Sequence, residues 1–211
     1  MADDTHNVST AYKLKTPNDS ERFYRDWAAH YDREFADSMG YRSPSVVAAG
    51  FADAGGQGPV LDIGAGTGLV GSALRRAGVT PVDGIDISQE MLAEAERKGV
   101  YRTVFRADLT MPLKIPNDSY AGFVSAGTFT TGHVGPEAFD ELLRIARPGA
   151  LFSVSVHEAV YKTGGFAAAF AAMGDRITEF QADPFEIYGP DADAEHAADR
   201  GWLVRFRRRN L

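Results

Sequence analysis

The 211-residue sequence predicts an α/β fold: a doubly wound, mostly parallel seven-stranded sheet, with N-terminal helices and an antiparallel strand pair at the C-terminus. Three observations predict it. From Pro59 onward, short apolar runs alternate with helix-length amphipathic stretches, the pattern of repeated strand–helix–strand units. Several of the apolar runs are continuous rather than alternating, as in strands covered on both faces. The run VLDIGAGTGLVG, residues 60–71, passes from strand into a glycine-rich turn and then toward a helix.

Strands are expected over 60–63, 81–87, 103–106, 120–126 and 151–156, with helices near 67–77, 88–98, 136–146 and 164–174. ITEFQADPFEIY and WLVRFRRR then read as two antiparallel strands closing one edge, because no apolar helix separates them. Upstream, residues 1–17 read as a polar flexible tail, and residues 18–211 as a single domain. Within it, residues 18–58 supply helices forming a lid and residues 59–211 the ligand-binding core. Phe23, Trp27, Tyr31 and Phe35 recur every fourth residue, one apolar helical face that serves as core or as lid, with Ser20 as its expected cap. A second helix is expected over 44–54, ended by the Gly-rich stretch before Pro59.

Composition excludes several classes. There is no cysteine, so disulfides, thiolate metal sites and cysteine nucleophiles are absent. Five scattered histidines without His-Glu-x-x-His give no metal motif, and the net charge of -7 disfavours attachment to nucleic acid. No apolar leader or membrane span is present, which makes the cytoplasm the expected location and a membrane an unexpected partner. Arg205, Arg207, Arg208 and Arg209 are either a solvated edge strand or a grip for an anion.

The glycine run contains GxGxxG from Gly66 and GxGxG from Gly64, so the turn alone leaves two adenosine cofactors open, a nicotinamide dinucleotide and S-adenosylmethionine. Asp86, twenty residues after Gly66 at the end of the second strand, is placed to accept ribose hydroxyls and fits both. Three features favour S-adenosylmethionine: Asp62 inside the first strand, Asp108 after the third strand where it can meet an adenine amino group, and a chain with no second domain for hydride transfer.

At these residues the sequence resembles the class I S-adenosylmethionine-dependent methyltransferases, and is similar to their small-molecule type, the branch that includes the Williams-Beuren-region methyltransferase. VLDIGAGTG, GIDIS, FRADL, YAGFVSAGTF and LLRIARPGALFSVSV match the family's motifs in order. The family's Pro-Gly-Gly turn is Pro148-Gly149-Ala150 here, and no Asn/Asp-Pro-Pro-Tyr follows the fourth strand, which counts against amino methylation of bases or glutamine. The resemblance implies a fold of the Rossmann-like class I type, and S-adenosyl-L-methionine as cofactor with S-adenosyl-L-homocysteine as product. It implies a cofactor floor of Gly64, Ala65, Gly66 and Gly68, with Asp62 near the methionine portion. Asp86 would hold the ribose, Ile87 and Met91 would pack on the adenine, Asp108 and Leu109 would meet its edge, and Ser125 would lie near the amino-acid end. Tyr24 or Tyr31 would close over the site. The expected reaction is in-line methyl transfer to a small-molecule acceptor. His133, on the loop after the fourth strand, is the expected general base. His157 is the second choice, and Tyr31 or Phe129 offers an aromatic face to the sulfonium. The alternatives are a nicotinamide-dependent oxidoreductase and a non-catalytic S-adenosylmethionine-binding module. The acceptor and the oligomeric state have no motif.

Overall fold

The computed structural model describes residues 8–11, 13, 14, 16–190 and 192–210. The rest of the stretch read as a tail, residues 1–7, 12 and 15, lies outside the described residues. The core is a seven-stranded sheet in the order β3-β2-β1-β4-β5-β7-β6. Its strands are β1 (Val60–Ile63), β2 (Val82–Asp86), β3 (Thr103–Arg106), β4 (Tyr120–Phe129), β5 (Ala146–His157), β6 (Ile177–Glu186) and β7 (Arg200–Arg208). The first five pair in parallel, and β7 pairs antiparallel with both β5 and β6. Strand order reverses at β1, which has β2 on one side and β4 on the other, and a doubly wound sheet opens a crevice at that point.

The helices are α1 (Val8–Ala11), α2 (Pro17–Trp27), α3 (Ser43–Asp53), α4 (Leu69–Arg76), α5 (Gln89–Lys98), α6 (Ala138–Ile145), α7 (Glu158–Tyr161) and α8 (Phe166–Met173). Phe123, Phe152 and Phe206 lie opposite one another on β4, β5 and β7. Their rings stack with centroids 4.4 and 4.5 Å apart, a ladder across the middle of the sheet that α6 and α8 cover with Phe139 and Phe170. The other face buries Val47 and Phe51 of α3 and Leu74 of α4. Among the described residues no helix is long and apolar enough to cross a membrane.

Several expectations are corrected. The aromatic helix is not continuous: α2 ends at Trp27, and a turn leads into a wider, π-type helix over Asp32–Asp37. Phe23, Trp27 and Phe35 are nevertheless buried together. Thr16, not Ser20, caps α2, accepting the Asp19 amide at 3.1 Å, while Ser20 is buried one turn further on. Within the stretch read as a tail, α1 forms a turn whose Ala11 packs into the aromatic cluster. Pro148-Gly149-Ala150 lies within β5, where the register jumps from Tyr120↔Ala146 to Gly122↔Leu151. The arginine-rich strand β7 is interior, and β6 is the edge. Arg205 pairs with Asp183 at 2.8 Å, Arg207 with Glu179 at 3.0 Å, Arg208 with Asp118, and Arg209 with Asp175 at 3.3 Å. Each of these arginines is thus paired with a neighbouring acid.

Candidate functional site

The glycine turn after β1 has a conformation that only glycine adopts without strain. Gly64 has φ +65°, and a Cβ there would stand 2.0 Å from Thr128 Oγ1, so a side chain is excluded twice. Gly66, also at positive φ, turns its amide to Asp86 Oδ2 at 2.9 Å, and Asp86 Oδ1 accepts the Ser88 amide at 2.9 Å. Burial raises the Asp86 carboxyl above its ordinary value of 3.8, and the two amides oppose that rise. Each carboxylate oxygen retains a lone pair for another donor.

A crevice opens beside this turn. Its floor is Gly64, Ala65 and Gly66; Asp86 and Asp108 stand on it, each at the end of a neighbouring strand, and Ile87, Met91 and Leu109 supply apolar walls. Asp108 Oδ1 accepts both the amide and the hydroxyl of Thr110, at 2.9 and 2.7 Å, which fixes its carboxylate. Tyr24 and Tyr31 face the crevice from the N-terminal segment. That segment is tied to the core by Asp32, which accepts from Thr67 of the glycine turn and pairs with Lys98 of α5.

Other expected residues do not line the crevice. Asp62 is fully buried behind it and accepts the Tyr101 hydroxyl at 2.6 Å. Burial is the main reason its carboxyl is raised from 3.8 to about 7, with the Asp86 charge adding to the rise. The Tyr101 ring occupies the space beside Gly71, where a Cβ would meet it at 2.5 Å. Gly68 begins α4 at φ +90° rather than touching the crevice. Ser125 is buried and donates to the Ile63 carbonyl at 2.7 Å. Phe129 stacks on Phe139 in the core at 4.9 Å. Conversely, Ser20, Tyr41, Thr110 and Thr128 line the crevice without any sequence signal that marked them. Asp83, a buried residue of β2, is structural: it pairs with Arg102 and accepts the Tyr120 hydroxyl at 2.8 Å.

His133 lies on the crevice wall. Its Nδ1 is 2.9 Å from the Thr131 carbonyl, an acceptor, so Nδ1 carries the proton and Nε2 presents a lone pair. The Tyr24 hydroxyl, 3.2 Å away, therefore donates to Nε2. Burial holds this imidazole below its ordinary value of 6.5, leaving it neutral and able to take a proton at neutral pH.

A second, smaller chamber adjoins the first, sharing Tyr24, Tyr31, Tyr41, Gly127 and His133 with it. His157, the second choice as a contact to the acceptor, lines this second chamber and not the crevice. Its Nδ1 caps α7 by accepting the Ala159 amide at 3.1 Å, so the proton of the neutral ring sits on Nε2.

A glycine turn at the reversal of strand order, two strand-end carboxylates on one crevice and an antiparallel C-terminal pair define a class I S-adenosylmethionine-dependent methyltransferase fold. Residues 60–149 of the chain match the methyltransferase-domain family model. Human methyltransferase-like protein 27 is 32% identical over 134 residues, 61% of this chain. The match spans about half (54%) of that relative's length. Among solved structures, a candidate S-adenosyl-L-methionine-dependent methyltransferase from Methanococcus maripaludis superposes with a TM-score of 0.63 at 15% identity, over 90% of this chain and 94% of that one. The [4+2]-cyclase SpnF superposes with a TM-score of 0.68 at 17% identity, over 94% and 98%. A methyltransferase and a cyclase thus carry one fold, so the reaction has to be argued from the site. S-adenosylmethionine is the cofactor the family implies, and the observed crevice fits it: a side-chain-free floor, two fixed carboxylates for ribose and adenine donors, and an apolar slot between them.

Proposed function

We propose that this protein transfers a methyl group from S-adenosylmethionine to a small-molecule acceptor. The observation that carries the reading is the adjacency of the two chambers: the crevice holding Asp86 and Asp108 shares Tyr24, Tyr31, Tyr41, Gly127 and His133 with the lining of the second chamber. Asp86 accepts the ribose hydroxyls, Asp108 the adenine amino group, and Ile87, Met91 and Leu109 sandwich the base. The bound cofactor supplies an electrophilic methyl on a positively charged sulfur.

The chain's own contribution is placement and proton removal. Holding the acceptor in line with the methyl is worth up to ~7–11 kcal/mol of the barrier. His133 takes the acceptor's proton at Nε2, directly or through the Tyr24 hydroxyl bonded to it, a contribution of a hundredfold or more (~10²–10⁴). Residues 18–58 form the lid: Tyr24 and Tyr31 shield the reacting atoms, and the Asp32 contacts to Thr67 and Lys98 hold the segment closed.

Calorimetric titration with S-adenosylmethionine, S-adenosylhomocysteine and NAD tests the reading. The first two bind below millimolar concentration and NAD does not; Asp86→Ala weakens binding by roughly 1.5–3 kcal/mol, from loss of a charged acceptor for the ribose. Binding of NAD with no heat from the other two overturns the reading. Cofactor binding with no methyl transfer to a broad panel of small acceptors reduces the protein to a binding module.

A further inference from the structure

We infer that the acceptor is an uncharged molecule with an aromatic ring and a hydroxyl, held in the second chamber; this rests on the methyltransferase reading above. Among the described residues, no Asp, Glu, Lys or Arg lines that chamber. An ionised carboxylate, phosphate or ammonium entering it would leave water without gaining a counter-charge, which disfavours anionic and cationic acceptors alike. Aromatic rings form the wall instead. Trp27 and Tyr31 lie 5.0 Å apart, Tyr31 and Phe35 4.9 Å, Phe35 and Tyr41 5.1 Å, and Tyr41 and Tyr188 5.9 Å, a continuous chain of rings from the N-terminal segment to the end of β6. Such a wall favours a planar ring, by stacked or edge-on contact.

The polar groups suit a hydroxyl. The Tyr24 hydroxyl gives its proton to His133 Nε2, so its oxygen is left to accept on the chamber wall, while the His157 ring is turned toward Asp199. An acceptor hydroxyl has the proton that this oxygen takes, and the pair passes it on to His133. In transfer, the O–H proton goes to His133 as the oxygen–methyl bond forms, and the carbon–sulfur bond breaks with its electron pair remaining on sulfur.

The test is calorimetry on protein saturated with S-adenosylhomocysteine, using three probes of one shape: 2-naphthol, 2-naphthoate and protonated 2-naphthylmethylamine. The naphthol binds at least tenfold more tightly than either charged analogue. Thr130→Trp fills the chamber from a residue that does not line the cofactor crevice, and it abolishes naphthol binding while S-adenosylhomocysteine still binds. Trp27→Leu, which removes part of the wall, weakens the naphthol at least fivefold and serves where the larger side chain prevents folding. Equal or tighter binding of a charged probe, or naphthol binding indifferent to both substitutions, overturns the inference and leaves the methyltransferase reading standing. A protein that folds but does not bind S-adenosylhomocysteine overturns that reading, and the inference with it.

Discussion

Replacing Asp62 with Asn should reverse part of the protein's response to pH. The Asp62 carboxyl is fully buried, its Oδ2 accepts the Tyr101 hydroxyl, and burial raises it from 3.8 to about 7. A carboxyl raised on folding holds its proton in the native state over a range where the unfolded chain has lost it. The native state therefore binds more protons between about pH 4 and pH 7, and stability falls as pH rises through that window, levelling off above it. The rise corresponds to a cost on the order of 4 kcal/mol at alkaline pH, of which about 3 kcal/mol develops between pH 5 and pH 8. Asn cannot ionise and lacks this loss. Urea unfolding of parent and Asp62→Asn at about pH 5, 6, 7 and 8 reads the difference directly. The variant gains on the parent by about 3 kcal/mol across the series, whatever constant cost the amide carries. A difference that stays flat to within about 0.5 kcal/mol refutes the argument that this carboxyl is buried protonated near neutrality.

Three further outcomes follow from the geometry. His133→Gln lowers kcat/KM at least a hundredfold with little change in the KM for S-adenosylmethionine, and the acid limb of the parent's pH–rate profile falls below the ordinary histidine value of 6.5, because burial lowers this imidazole. Gly64→Ala costs more than the ~1–2 kcal/mol of a left-handed residue, because its Cβ also meets Thr128 Oγ1; thermal unfolding and S-adenosylhomocysteine titration both register the loss. Phe152→Ala, which removes the middle rung of the stacked ladder, costs ~3–5 kcal/mol in denaturant unfolding.

The sheet was legible where the signal is local. VLDI and TVFR announce β1 and β3 with their observed limits, because VLDI is a mostly apolar run between Pro59 and Gly64, and the apolar Val104-Phe105 pair of TVFR lies between Arg102 and Arg106. Gly64, Ala65, Gly66, Asp86, Ile87, Met91, Asp108 and Leu109 sit on one crevice because a βαβ series places each strand end in turn on the same edge. Asp62 was misplaced because its side chain's direction depends on Tyr101, 39 residues away, and no periodicity relates the two. The Arg205–Arg209 run looked like a free edge because its acidic partners lie on β6 and in loops that the sequence does not set beside it. Sequence spacing marked Trp27 and Phe35 as apolar but not as chamber walls: Tyr41, His157 and Tyr188 meet them only after the N-terminal segment packs across the ends of β4, β5 and β6.

A crystal structure of the protein with S-adenosylhomocysteine tests the central claim most directly. The account predicts the ribose diol within hydrogen-bond distance of Asp86, the adenine amino group at Asp108, and the thioether sulfur facing the second chamber past Gly127 and His133. Density for the ligand elsewhere, or with its sulfur turned away from that chamber, contradicts it.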